Sequence, residues 1–335
     1  MPLQSEQGAV RPRFFVASIW YSLAMAAVLA ATLAAMMAVQ RNAMQETAHR
    51  DRIAQMKLVS GALDSAFDQA GKLAQALAET TARRDQVGRA MAARDRDMLR
   101  RVSAPVFDYV KNNAGIEIFG YHSEDLHYFL RMHRPEQFDD DISAFRSMVV
   151  AANRSRQPQT GVEIGIAGIG MRGIAVINYE GRFVGTAEAG VAIQPILEMV
   201  KASANADAAV VIVPSMSGVK IDDKLPRFGD LALAVSTDSD LFTRFLKQER
   251  VSPVRDLEIG TVRLDGRNYS TSIEPLVDFS GRLVGLIIAL KDDPLAGLAR
   301  TRIELWVTAL CGGILAFLVF VVLFQFAITR REASK

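Results

Sequence analysis

Phe129-Leu130-Arg131-Met132-His133-Arg134-Pro135 leads into Phe138-Asp139-Asp140-Asp141, and then, after an interval, into Gly161-Val162-Glu163-Ile164-Gly165 and Met171-Arg172-Gly173. These segments set buriable charges between apolar runs and glycines, a mixture that neither a plain core nor a plain surface calls for. Asp140 or Asp141 is placed to cap a helix from about Ile142 to Ala152, where Phe145, Met148, Val149 and Ala152 recur at three and four. Beyond Gln157-Pro158-Gln159 the period becomes two, in Val162, Ile164 and Ile166 and again in Ile174, Val176 and Asn178, which predicts strands turning at the glycines. Tyr179-Glu180-Gly181-Arg182 is the next predicted turn and Phe183 to Ile193 the next strand. A helix followed by antiparallel strands makes a half-open sheet with a cavity between the two. Arg131, His133, Arg172 and Glu188, with Tyr121 at the start of the region, are the candidate ligand-binding residues.

The two arginines have two readings. An arginine amid apolar neighbours is costly unless its fork meets a carboxylate. That carboxylate is either internal (Glu163, Glu188 or one of the three aspartates) or belongs to a ligand, and the residue pattern is compatible with both.

The ordered series Phe129-Leu130-Arg131, His133, Pro135, Phe138 with its aspartates, Ser143, Phe145-Arg146, Asn153, Gly161, Glu163, Gly165, Gly168, Arg172-Gly173 and Gly185 to Glu188 resembles the first module of extracytoplasmic double Cache sensors. These are PAS-like ligand-binding regions of bacterial chemoreceptors, histidine kinases and diguanylate cyclases. The similarity runs over roughly residues 85 to 292, and it departs from the family pattern at Asp139, where a glycine is expected. The resemblance implies an α+β fold of two PAS-like Cache modules, each an antiparallel sheet with flanking helices, and a small-molecule ligand at the first.

Working outward, residues 14–39 and 304–328 are each long and apolar enough for a bilayer-crossing helix of about 20 residues. The first is longer than the roughly 7 to 15 apolar residues of a signal peptide, and Met36 to Gln40 makes a poor cleavage site, so it is expected to be retained. Arg11 and Arg13 precede one span; Arg330, Arg331 and Lys335 follow the other. The positive-inside rule then makes tails 1–13 and 329–335 cytoplasmic and residues 40–303 periplasmic, in a two-pass inner-membrane protein. Ala27, Ala31 and Ala35, Ala30, Ala34 and Ala38, and Ala309 with Gly313 form small-residue faces; they are suited to a homodimer or hetero-partner contact between membrane helices, or are simply lipid-facing. Residues 40–112 read as a helical stalk, with a stripe at Met56, Val59, Leu63, Phe67, Ala70, Ala74 and Leu77, repeated from Arg84 to Asn112.

Gly181-Arg182-Phe183-Val184-Gly185 returns as Gly281-Arg282-Leu283-Val284-Gly285, each between two short apolar strands, which implies two copies of one module: 113–205 and 206–296. The second has no polar cluster comparable to the first. In the 335-residue chain, half the residues are hydrophobic and the net charge is +2 without a basic stripe, so nucleic acid is not an expected partner. Gly168-x-Gly170-x-x-Gly173 matches a dinucleotide fingerprint, but strands surround it where a helix is needed. His122, His127 and His133 lack the spacing of zinc motifs, and no nucleophile sits with a base, so no metal, cofactor or catalytic residue is expected. Cys311, the single cysteine, can make no internal disulfide. The expected role is a membrane-anchored sensor; with only Thr329 to Lys335 after the second span, its signal is expected to leave through a partner. The competing expectation is a scaffold built on the same fold that organises a membrane region or recruits proteins.

Overall fold

The structure, a computed structural model, describes residues 11–165, 168–218 and 222–333. The predicted strand position Ile166, residues 1–10 of the first tail and Lys335 of the second lie outside the described residues. Of the described residues, 11–52 and 293–333 form one compact unit, and those of Ile53–Asp292 form another.

Helix α1 (Arg11–Ala82) carries the first predicted span and the predicted outer helix without a break. Its stripe is buried at Met56, Val59, Leu63, Phe67, Ala70 and Ala74 and partly buried at Leu77. Helices α2 (Asp85–Ala92) and α3 (Arg96–Ala114) divide the second stretch of helical period in two. The break is local chemistry: Arg94 adopts a left-handed φ of 53°, and the Asp95 carboxylate caps α3 by accepting from the Met98 N–H at 2.8 Å.

Strands β1 (Ile116–His122) and β2 (Tyr128–Arg131), helix α4 (Ser147–Ser155), and strands β3 (Gln159–Gly165), β4 (Gly168–Tyr179) and β5 (Arg182–Ala192) make the first module. Helix α5 (Ile193–Ala204) leads to the second: β6 (Asp207–Ile212), α6 (Pro214–Ser217), β7 (Arg227–Phe228), β8 (Leu231–Ser236), α7 (Ser239–Gln248), β9 (Glu258–Leu264), β10 (Arg267–Val277) and β11 (Leu283–Asp292). Both sheets are antiparallel, ordered β2-β1-β5-β4-β3 and β7-β8-β6-β11-β10-β9. The stripe of α1 shares one core with residues of both sheets, among them Ala175, Ala187 and Ala189 of the first and Val210, Ile287 and Ala289 of the second. From Ile53 the predicted stalk is therefore a wall of the domain as well as a spacer.

Each echoed pentapeptide begins in the β4–β5 or β10–β11 turn and runs into the strand that follows. Their last glycines are obligatory for one reason: a Cβ at Gly185 would lie 2.2 Å from the His122 carbonyl oxygen, and one at Gly285 would lie 2.3 Å from that of Val211. The second turn also reaches the first module. The Phe279 N–H donates to the Val162 carbonyl at 3.1 Å, and its ring joins the small core of Tyr128, Ile142, Met148 and Phe145.

Helix α4 starts five residues later than the pattern at Ile142 predicts, and neither aspartate caps it. Asp141 instead accepts from the Ser143 N–H at 2.8 Å and pairs by its backbone with His127. The cap comes from far along the chain, as the Glu163 carboxylate of β3 accepts from the Met148 N–H at 3.0 Å.

Helix α8 (Pro294–Ala333) contains the second predicted span. Among the described residues, it and α1 are the two helices long and apolar enough to cross a membrane, and large apolar side chains such as Trp20, Met36, Trp306, Phe320 and Phe324 are exposed along them. In their unit Arg52 Nε donates to Asp293 Oδ2 at 3.1 Å.

Candidate ligand-binding site

Alternation along the strands gives the first sheet two different faces. Phe119, Tyr121, Ala175, Ile177, Ala187 and Ala189 share the large core with α1 and α3, where Phe107 stacks on Phe119 at 5.8 Å. The other face carries His122, Arg172, Ile174 and Glu188, and α4 packs over part of it.

Glu188 is the centre of that face and is fully buried. Arg146 Nη2 donates to its Oε1 at 2.5 Å, Arg172 Nη1 donates to Oε1 at 3.2 Å and the Tyr128 hydroxyl donates to Oε2 at 3.0 Å. Arg146 also donates through Nε to Glu163 Oε2 at 2.9 Å, so a single guanidinium ties β3, β5 and the start of α4 together. Burial alone would raise the Glu188 pKa, but the charges of Arg146 first and then Arg172 hold it well below the usual carboxylate range. Burial would lower that of Arg146, yet Glu188 and Glu163 raise it. His122 Nδ1 lies 3.0 Å from Thr186 Oγ1, and its Nε2 lies 3.3 Å from Glu188 Oε2 without the geometry of a hydrogen bond. Burial, against the pull of Glu188, lowers the His122 pKa and favours the neutral ring.

Above this network lies a cavity of about 350 Å³ whose lining includes Tyr128, Arg131, His133, Arg134, Arg146 and Arg172. Its guanidinium groups are not equivalent. Arg131 is neutralised by an internal partner: Nη1 and Nη2 grip the two oxygens of Asp140 at 2.6 and 2.7 Å, Nη1 also donates to the Gln137 carbonyl at 2.7 Å, and the plane covers the Tyr128 ring at 3.7 Å. That contact holds the Asp140 pKa down. Arg172 is only 3% exposed but uses just its Nη1, on Glu188, and its Nε–H has no partner. Room for its side chain comes from Gly190, where a Cβ would lie 3.0 Å from both Cδ and Nη1. Burial lowers the pKa of His133, whose Nδ1 lies 3.4 Å from the Phe119 carbonyl oxygen. A carbonyl only accepts, so Nδ1 carries the hydrogen and Nε2 is left as an acceptor.

Of the candidate residues, the structure brings Arg131, His133 and Arg172 to the cavity wall and Glu188 beneath it. Tyr121 is not there. Its hydroxyl pairs with Ser103 Oγ of α3 at 2.6 Å on the opposite face, because it is one residue out of phase with His122. The pattern missed Arg146 as a site residue, although a charge beside the apolar stripe of Phe145, Met148 and Val149 is a usable signal. Tyr128 and His122 were likewise missed. Gly168 to Gly173 lies within β4, with strand and not helix following, so it cannot cradle a pyrophosphate as a dinucleotide loop does.

The sequence profile of a family described as the double sensory domain of two-component sensor kinase matches residues 45–292. The chain belongs to the double Cache family. The matched segment begins within α1, in keeping with that helix being part of the domain. No curated protein matches the chain. Among solved structures, it is similar to the periplasmic domain of Vibrio cholerae LuxQ, with 14% identity, 70% of this chain and 99% of that one covered, and a TM-score of 0.41. It is also similar to the sensor domain of the V. cholerae histidine kinase DctB, with 11% identity, coverage of 73% and 96%, and a TM-score of 0.43. For the sensory domain of the Campylobacter jejuni chemoreceptor Tlp3, with isoleucine bound, the values are 10%, 75% and 95%, and 0.48.

Proposed function

We propose that this double Cache protein is a membrane-anchored sensor that binds a small anionic ligand, such as one bearing a carboxylate, in the cavity of its first module. The observation that carries the reading is Arg172: a buried guanidinium on the cavity wall with an unpartnered Nε–H, beside Arg134, which adds an exposed positive charge. A buried donor without an acceptor is costly, and an anion there supplies the acceptor. Arg131, already neutralised by Asp140, shapes the wall and does not carry the anion. His133 Nε2 offers an acceptor for a donor on the same ligand. The role is recognition and not catalysis.

The flanking arginines orient both termini to the cytoplasm and the sensory modules outside the membrane, and occupancy is passed through the membrane helices to a partner. A C-terminal alkaline phosphatase fusion that is active outside the membrane would overturn that orientation. For the site, full-length protein in detergent is melted with a series of mono- and dicarboxylates, since a ligand of the native state raises Tm by mass action. Arg172→Ala should weaken the responding acid by roughly ten- to a hundredfold, a charge-assisted contact being worth about 1.5 to 3 kcal/mol. Arg131→Ala should lower Tm with or without the acid. Absence of any carboxylate response, or an unchanged response in Arg172→Ala, would refute the anion reading.

A further inference from the structure

On the α1 side of the second sheet, β10 presents Ser272 and Glu274, both buried. Ser60 Oγ of α1 donates to Glu274 Oε2 at 2.6 Å, while Glu274 Oε1 and Ser272 Oγ have no partner. No Lys or Arg pairs with Glu274 among the described residues. On that face its strand neighbours are apolar, with Ile287 opposite it on β11 and Ile259 of β9 opposite Ser272, and the one charged group acting on it is Asp64 of α1, of like sign.

The fold does not require this polar pair. Strand register equates Ser272, opposite Ala289, with Gly173, opposite Ala189, and Glu274, opposite Ile287, with Ala175, opposite Ala187. In the first module α1 presses so closely that a Cβ on Gly173 would lie 2.3 Å from the Gln75 backbone nitrogen. At the second module the same helix meets a serine and a carboxyl group. A buried carboxylate with one donor and no cation is unfavourable, whereas the neutral acid is tolerated.

We propose that Ser60 and Glu274 form a pH-responsive clasp that holds α1 to the second sheet while Glu274 is neutral and loosens when it ionises. Burial first, and then Asp64, push the Glu274 pKa up to about 7, against the opposing hydrogen bond from Ser60. An acid whose folded pKa lies above its unfolded value, about 4.3, costs nothing below that lower value; the destabilisation grows up to the folded pKa and is complete above it. The clasp is therefore closed in mild acid and open in mild base.

The test compares thermal melts of the full-length protein in detergent from pH 5 to 8.5. Wild type should melt only slightly below Glu274→Gln at pH 5, and it should fall several degrees below the variant by pH 8. Ser60→Ala should move the midpoint of the wild-type transition to higher pH, and Asp64→Asn should move it lower. Hydrogen exchange corrected for its intrinsic pH dependence should show residues 53–65 of α1 losing protection between pH 6 and 8 relative to residues 71–78 of the same helix, which needs no variant to fold. A pH-independent gap between wild type and Glu274→Gln, unmoved midpoints, or a constant protection ratio would each overturn the proposal.

Discussion

The two sheets are built alike and filled differently. Register pairs Arg172 with Gly190 and Ile174 with Glu188 in the first; Thr271 with Leu290 and Ile273 with Ile288 stand at the corresponding places in the second. Where the first module buries Glu188 among Arg146, Arg172 and Tyr128, the second packs Leu286, Ile288 and Leu290 with Phe242 and Phe245 of α7. The apolar filling needs no partners and leaves no charge unsatisfied. The ionic filling needs every partner present, and it leaves a cavity with a donor to spare. One scaffold thus supports a face committed to packing and a face that keeps an open cavity.

Giving the first module the residue of its twin is the most severe way to break this comparison. Glu188→Ile strands the buried guanidinium of Arg172, takes one of two carboxylates from Arg146, and should cost about 3 to 5 kcal/mol, as removal of one partner of a buried pair does. Denaturant melts of the full-length protein would show it, and a variant as stable as wild type would mean that the network is not required for folding. A second comparison uses acid. Glu188 is held below its unfolded pKa, so its contribution is complete above about pH 4.3 and is lost as the pH falls through the folded value. Glu188→Gln should flatten the acid limb of the Tm profile. Glu274 has the opposite sign, so the two glutamates bracket a pH optimum from either side.

The contact between modules gives a smaller effect. Phe279→Ala removes a partly buried ring from the core around Tyr128 and Met148 and should cost about 2 kcal/mol, less than the roughly 3 to 5 of a fully buried phenylalanine. If the modules were independent, proteolysis of the variant would cut only near the β10–β11 turn; added cleavage in α4 would show that the contact is shared. The smallest effect belongs to Asp139, whose φ of 64° is the left-handed conformation that the family pattern meets with a glycine. Its exposed pair with Arg96, at 3.0 Å, offsets little, so Asp139→Gly should stabilise by up to about 1 kcal/mol in the same melts.

Much of this architecture was legible in the residues because it rests on local period. The stripe of α1, the strands around the echoed pentapeptides and the ambiguity of Arg131 and Arg172 between internal bridge and ligand contact could all be read directly. What could not be read depends on tertiary proximity. Arg146 and Glu188 are 42 residues apart, and nothing local says that they meet. The Glu163 cap of α4 comes from a strand later in the chain, so the nearer aspartates were the natural but incorrect choice. Tyr121 was misplaced by one residue of phase, since in a strand one position decides the face.

Arg146 has a further consequence, for how the protein can change over time. The groups that hold α4, β3 and β5 together lie under the cavity, whereas Arg134, Gln137 and Phe138 on its wall are exposed and belong to a connecting segment. Substitutions on that rim can reshape the cavity at little cost to foldedness, because the interactions that stability depends on lie on its buried floor. Under the sensing role proposed above, a lineage carrying this scaffold is free to explore new chemical cues by drift at the rim while the buried ion network keeps the fold intact.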